Sequence, residues 1–154
     1  MFVLINAFLL GTASGLRALL GLTVVSWAAR LGYVHLDHTW LAFLGFAFTP
    51  YILSLMAIGE LVNDKLPKTA SRLIPPQFIT RIVTGTFCGI ALGFSTSHLI
   101  AGALAGAAGS VVGTLGGAKA RALGAKIFGR DLPAALIEDA AAIGIAVSAI
   151  ALLP

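Results

Sequence analysis

Residues 11–18 read GTASGLRA, and they set an arginine among glycines and aliphatics inside the first long apolar run of the chain. Residues 113–120 read GTLGGAKA, nearly the same pattern late in the sequence. Gly11, Thr12, Gly15 and Ala18 recur as Gly113, Thr114, Gly117 and Ala120, with Lys119 in the place of Arg17. What a cation does at such a position depends on the solvent around the helix, and the composition identifies that solvent.

The 154 residues are 58% hydrophobic and 10% charged, whereas an ordinary soluble domain is about a quarter charged. Too little polar surface is left to face water. The apolar runs are also too long for the core helices of a small domain, and they match the roughly 20 residues that cross a hydrocarbon core of about 30 Å. The chain therefore reads as an all-α integral membrane protein, one transmembrane domain over residues 1–154. Helices are required because an isolated strand in lipid leaves its backbone groups unsatisfied, and no series of alternating segments suggests a barrel.

Five apolar segments stand out, at about 2–31, 40–62 (interrupted by Pro50), 77–94, 99–127 and 133–153. No basic residue precedes Arg17, so the first segment reads as a retained span rather than a cleaved signal peptide. Cys88 is the one cysteine and reads as a small core residue. The net charge of +4 forms no basic stripe, and nucleic acid is not expected as a partner.

The basic residues fit topology instead. Lys65, Lys68, Arg72 and Arg81 flank the second connection, and Lys119, Arg121, Lys126 and Arg130 flank the fourth. Positive residues collect on the cytoplasmic side. This predicts the N-terminus inside and the C-terminus outside, with Trp27, Tyr33 and Trp40 as an outer girdle. The first and fourth segments then run in opposite directions. The two motif copies become an inverted repeat, pairing helices 1–2 with helices 4–5, a common transporter plan. At about 1.5 Å per residue both segments exceed the bilayer core, which tilt or a break at Gly11–Gly15 would absorb.

Glycines at every fourth position (Gly85, Gly89 and Gly93; Gly102 and Gly106; Gly109, Gly113 and Gly117) carve grooves in which helix backbones approach closely. Arg17 lies near mid-depth, where a cation costs at least about 2.5 kcal/mol, so it is expected to face the interior with a compensating partner. Glu60 and Asp64 share one helical face. Glu138 and Asp139 point about 100° apart, and of these two Glu138 is the candidate for a buried acid, against the plainer alternative of a surface pair with Lys126 or Arg130. The expected polar lining is Arg17, Glu60, Asp64, Lys119 and Glu138, with Arg17 balanced by Glu60 or Glu138. Lys119, nearer the helix end, is alternatively a cation that snorkels to the interface.

His35, Asp37 and His38 form HLDH in the first connection, a weak metal candidate whose spacing fits no standard motif. No cofactor is expected. Lys65 and Arg72 have the K-x6-R spacing of membrane lipid phosphatases. Leu73 replaces that motif's proline and the family's other elements are missing, so no enzyme activity is expected.

The stretches SGLRALLG (14–21) and GELVNDKLPKTASR (59–72) resemble a bacterial family of small multi-pass membrane proteins, the domain of unknown function 4126 family. Gly15, Leu16, Arg17, Ala18, Glu60, Asp64, Lys65 and Pro67 fit its recurring pattern. The resemblance implies an inner-membrane protein and brings no activity with it. The expected function is transport or channelling of a small solute, leaning to anions, in a homodimer or higher oligomer. The alternative is a structural or assembly protein, and a lipid-modifying enzyme is a distant third.

Overall fold

The computed structural model describes residues 2–66, 71–95 and 97–153. Among these residues there are six α-helices and no strand: α1 (Phe2–Leu16), α2 (Leu20–Arg30), α3 (Thr49–Asn63), α4 (Pro75–Phe94), α5 (Leu99–Phe128) and α6 (Asp131–Ala151). A single 3-10 turn, Ala42–Gly45, interrupts the connection before α3.

Three helices, α4, α5 and α6, are long and apolar enough to cross a membrane. Their ends follow from local chemistry. Pro75 and Pro76 occupy the first turn of α4, where a missing N–H is harmless. Gly129, at φ +66°, closes α5 in the left-handed conformation that glycine adopts without strain.

The first apolar segment departs from expectation. It is a helical hairpin rather than one span. α1 stops at Leu16 after 15 residues, roughly 22 Å of helix, and α2 doubles back beside it. Gly21 packs against the Leu10 carbonyl and the Ser14 hydroxyl of α1. The far end of α2 lies beside the C-terminal end of α6, where Trp27 and Leu31 share a cleft with Val147, Ile150 and Leu153. α3 returns antiparallel to α2, with the Trp27 indole donating to Ser54 at 3.0 Å and Trp27 meeting Tyr51 edge to face. Of the five spans expected, three stand as long apolar helices, while the first is a hairpin and the second a helix of 15 residues.

The hairpin changes where the chain begins. The Asn6 side-chain amide donates to the Leu152 carbonyl at 3.3 Å. The start of α1 and the end of α6 therefore sit together, and the expectation of an N-terminus and a C-terminus on opposite faces is corrected. The connection carrying His35, Asp37 and His38 lies at this same end. The opposite, charged end holds the tip of the hairpin, the C-termini of α3 and α5 and the N-termini of α4 and α6.

The two motif copies are not related by inversion. Gly11 and Gly15 of α1 meet Gly106 and Ser110 of α5, while Phe8 and Thr12 meet Gly109 and Gly113. Contacts that advance four residues on both helices mean that α1 and α5 run in the same direction, face to face. A Cβ on Gly11 would overlap the Gly106 carbonyl, and one on Gly89 the Gly102 carbonyl. Glycine is present where one helix backbone lies directly on another, and dispersion contact there holds the bundle.

Candidate functional site: charged residues around a helix break

A helix that stops in the interior of a bundle leaves amides and carbonyls without partners. Arg17 N–H still donates to the Ala13 carbonyl at 2.8 Å, and regular bonding ends there. The next two amides, Ala18 and Leu19, donate to the Glu60 carboxylate at 2.7 and 2.9 Å. The stranded carbonyls of Gly15 and Leu16 accept from the Arg81 guanidinium at 2.9 and 2.7 Å. An anion thus sits on the positive start of α2 and a cation on the negative end of α1, as the helix dipoles favour. Glu60 and Arg81 stand 3.6 Å apart.

Arg17 itself is 1% exposed. Its Nε donates to Asp139 Oδ1 at 2.6 Å, its Nη2 lies 2.5 Å from the same oxygen, and its Nη1 lies 2.8 Å from Asp64. Glu138 is further away, at 3.9 Å. Lys65 donates to the other Asp139 oxygen at 2.5 Å. Arg72 forks onto Glu138, with Nη2 donating to Oε2 at 2.9 Å. Arg121 bridges Asp64 and Asp131. Five of the six carboxylates in the chain meet five cations here, and Asp37 is the carboxylate left out.

Burying so many charges costs several kcal/mol per ion unless each is paired. The pairing at Asp64 illustrates the balance. Burial works to raise its carboxyl, but the hydrogen bond from Arg121 and the nearby charge of Arg17 outweigh it and hold the group below the usual carboxylate range. Beside this network, at the charged end, lies a cavity of about 660 Å³ bordered by Asp64, Lys65, Arg72, Arg121, Asp131 and Leu132.

The sequence matches the family described as Domain of unknown function (DUF4126) over residues 4–153. The chain belongs to the DUF4126 family. No curated protein and no solved structure matches it.

In this DUF4126 protein the residues expected to line a polar site separate into three groups. Arg17, Asp64 and Glu138 come together in the network, although Glu138 pairs chiefly with Arg72 rather than with Arg17 or a surface cation. Glu60 reaches the same break but serves backbone amides and Arg81, not Arg17. Lys119 is exposed and has no ion pair among the described residues, so the two motif cations are not equivalent. Gly11, Thr12, Gly15, Gly113 and Thr114 form the α1–α5 contact, where the Thr114 hydroxyl lies 3.1 Å from the Gly15 carbonyl. The break itself falls at 17–19 rather than at Gly11–Gly15. Gly117 leaves room for Leu16, Arg72 and Glu138. His35, Asp37 and His38 are exposed, and the described residues contain no group of three or more potential metal ligands. Pro67 and Lys68 lie outside the described residues.

Two residues central to the geometry escape a sequence reading based on single helices. Asp139 is buried next to Glu138 because cations approach α6 from two sides, Arg17 and Lys65 on one and Arg72 on the other. The 100° between neighbours is spanned by the network. Arg81 read as a flanking charge, yet it stands four residues before Gly85 on the Gly85–Gly89–Gly93 face, which packs against α5. That spacing marks it as facing the bundle, and its guanidinium reaches the end of α1.

Proposed function

We propose that this protein is a multi-pass membrane protein of the bacterial inner membrane that passes a small solute, with anions favoured, through the cavity at its charged end. The observation that carries this reading is non-helical backbone at 17–19 inside the bundle, adjacent to a charged network with a cavity alongside. Irregular backbone at membrane depth is tolerated where protein buries it or where it lines a water-filled cavity, and broken helices mark the sites of many transporters. The network is then a closed gate, since Arg17 is sealed by Asp64 and Asp139. Lys65, Arg121 and Lys126 at the charged end support a cytoplasmic position for it by the positive-inside rule, and both ends of the described chain then lie outside. A homodimer or higher oligomer belongs to the same proposal.

A second reading draws on that same sealing. If Arg17 never parts from its carboxylates, the network is a structural lock and the protein an assembly factor without flux. Anion efflux from proteoliposomes separates the two. The transport reading expects flux above that of empty vesicles, altered when Arg72→Gln frees Glu138, and an absence of flux for formate, nitrate and chloride alike would overturn it. Sidedness is tested in a Cys88→Ala background, where external reagent should label Asp37→Cys and spare Ser71→Cys.

A further inference from the structure

The hairpin tip has the parts of an anion site, and the occupant is a side chain of the protein. The Ala18 and Leu19 amides converge on one carboxylate at 2.7 and 2.9 Å, at the N-terminus of a helix of 11 residues. Such convergence alone would be an ordinary cap. The neighbouring Arg81 makes it more than that. Arg81 is 4% exposed, and its buried Nε has no hydrogen-bond partner among the described residues. Its Nη2 stands 3.6 Å from Glu60 Oε1, too long for a hydrogen bond. Glu60 therefore satisfies the amides but stops short of the guanidinium. A buried donor left unpaired costs free energy, and a planar anion that is not tethered to α3 is free to bridge both sets of donors at once.

We propose that the Ala18 and Leu19 amides and the Arg81 guanidinium form a binding site for a small monocarboxylate, which Glu60 occupies as a tethered stand-in. A carboxylate is the matching chemistry because a carboxylate already fills the amide half of the site. Guanidinium and carboxylate also pair through parallel hydrogen bonds. Glu60 is able to leave, since its side chain is 18% exposed while Arg81 beside it is buried. Asp64, one turn further along α3, borders the cavity, so a shift of α3 couples release of Glu60 to the cavity side of the network. The use of this site in transport rests on the function proposed above, whereas binding itself does not.

The test uses the purified full chain in detergent, with formate and acetate as probes and gluconate at equal ionic strength as a carboxylate too bulky for the site. Glu60→Ala should lower the melting temperature by several degrees. Formate or acetate should restore at least half of that loss in a saturable manner, and gluconate should not. Adding Arg81→Gln should abolish the rescue. Glu60→Gln keeps the shape of the side chain and decides the matter alone if the alanine variant cannot be purified. It should bind formate at least tenfold more tightly than the parent in calorimetry, because formate then competes with a neutral amide instead of a carboxylate. Responses in both variants that match the parent and gluconate would overturn the site, whatever the flux measurements give. Rescue and binding without flux would keep the site and remove the transport reading.

Discussion

Arg17 and Asp139 are 122 residues apart in sequence, yet their side chains join through a 2.6 Å hydrogen bond at the tip of the α1–α2 hairpin. This pair closes the bundle, because it ties the one turn that stops inside it to the first half of the last helix. Removing one partner of a buried pair typically costs about 3–5 kcal/mol, and removing both costs less than the sum. Arg17→Ala and Asp139→Asn should each lower thermal stability strongly, with a coupling of at least about 1 kcal/mol in the double mutant. The same cycle between Arg17 and Glu60 should yield a much smaller coupling. Equal couplings in the two cycles would contradict the observed division of labour among the acids.

Glycine substitutions separate contact from propensity. At Gly11 a methyl group would overlap the Gly106 carbonyl, and neither backbone has room to retreat. Gly116 and Gly144 have nothing within 4 Å of an added Cβ. Gly11→Ala should destabilise the protein and broaden its unfolding. Gly116→Ala should be neutral or stabilising by up to about 1 kcal/mol, the helix-propensity difference. Similar losses at both positions would mean that the α1–α5 contact is not what glycine is needed for.

Acid should weaken the network in a definite direction. The folded Asp64 carboxyl is held below its usual value, so its contribution to stability is present above the unfolded carboxyl pKa of about 3.9 and is lost as pH falls through the folded value. Melting temperature should be steady from neutral pH down to about pH 5 and fall below about pH 4. Asp64→Asn should start lower at neutral pH and fall less steeply. An acid limb with unchanged slope would remove Asp64 from the account.

Lys119→Gln should change stability by no more than about 0.5 kcal/mol, the usual range for a surface position without a special role. Lys119 is exposed on α5 and makes no ion pair among the described residues. A loss comparable to that of Arg17→Ala would restore the equivalence of the two motif copies that the geometry denies.

Apolar length and end signals placed α4, α5 and α6 to within two residues, since Pro75, Gly129 and Pro133 act locally. The hairpin was not legible in this way. Nothing local at 17–19 stops a helix: there is no proline, and leucine, arginine and alanine are good helix formers. The turn is made by Glu60 and Arg81, which come from other helices and take the backbone groups that a continuous helix would have paired. The duplicated GT-x-x-G pattern was visible, but its meaning was not. A repeated small-residue pattern fits two faces that touch as readily as two halves related by symmetry, and only the register of Gly11 on Gly106 and Gly15 on Ser110 decides between them.

The order of residues along the chain has a consequence for synthesis. Arg17 emerges from the ribosome before any carboxylate it pairs with. Asp64 follows first, and Asp139 comes 122 residues after Arg17. At about 5–20 residues per second that interval is roughly 6–24 s. Over this time the first hairpin carries a guanidinium that has not met its final partner, and the packing of α1 against α5 also waits for residues 99–117. The nascent hairpin therefore depends on water, lipid headgroups or the insertion machinery to shelter its tip until the last helix arrives. Slowing translation after residue 30 should expose it to degradation far more than slowing translation after residue 140.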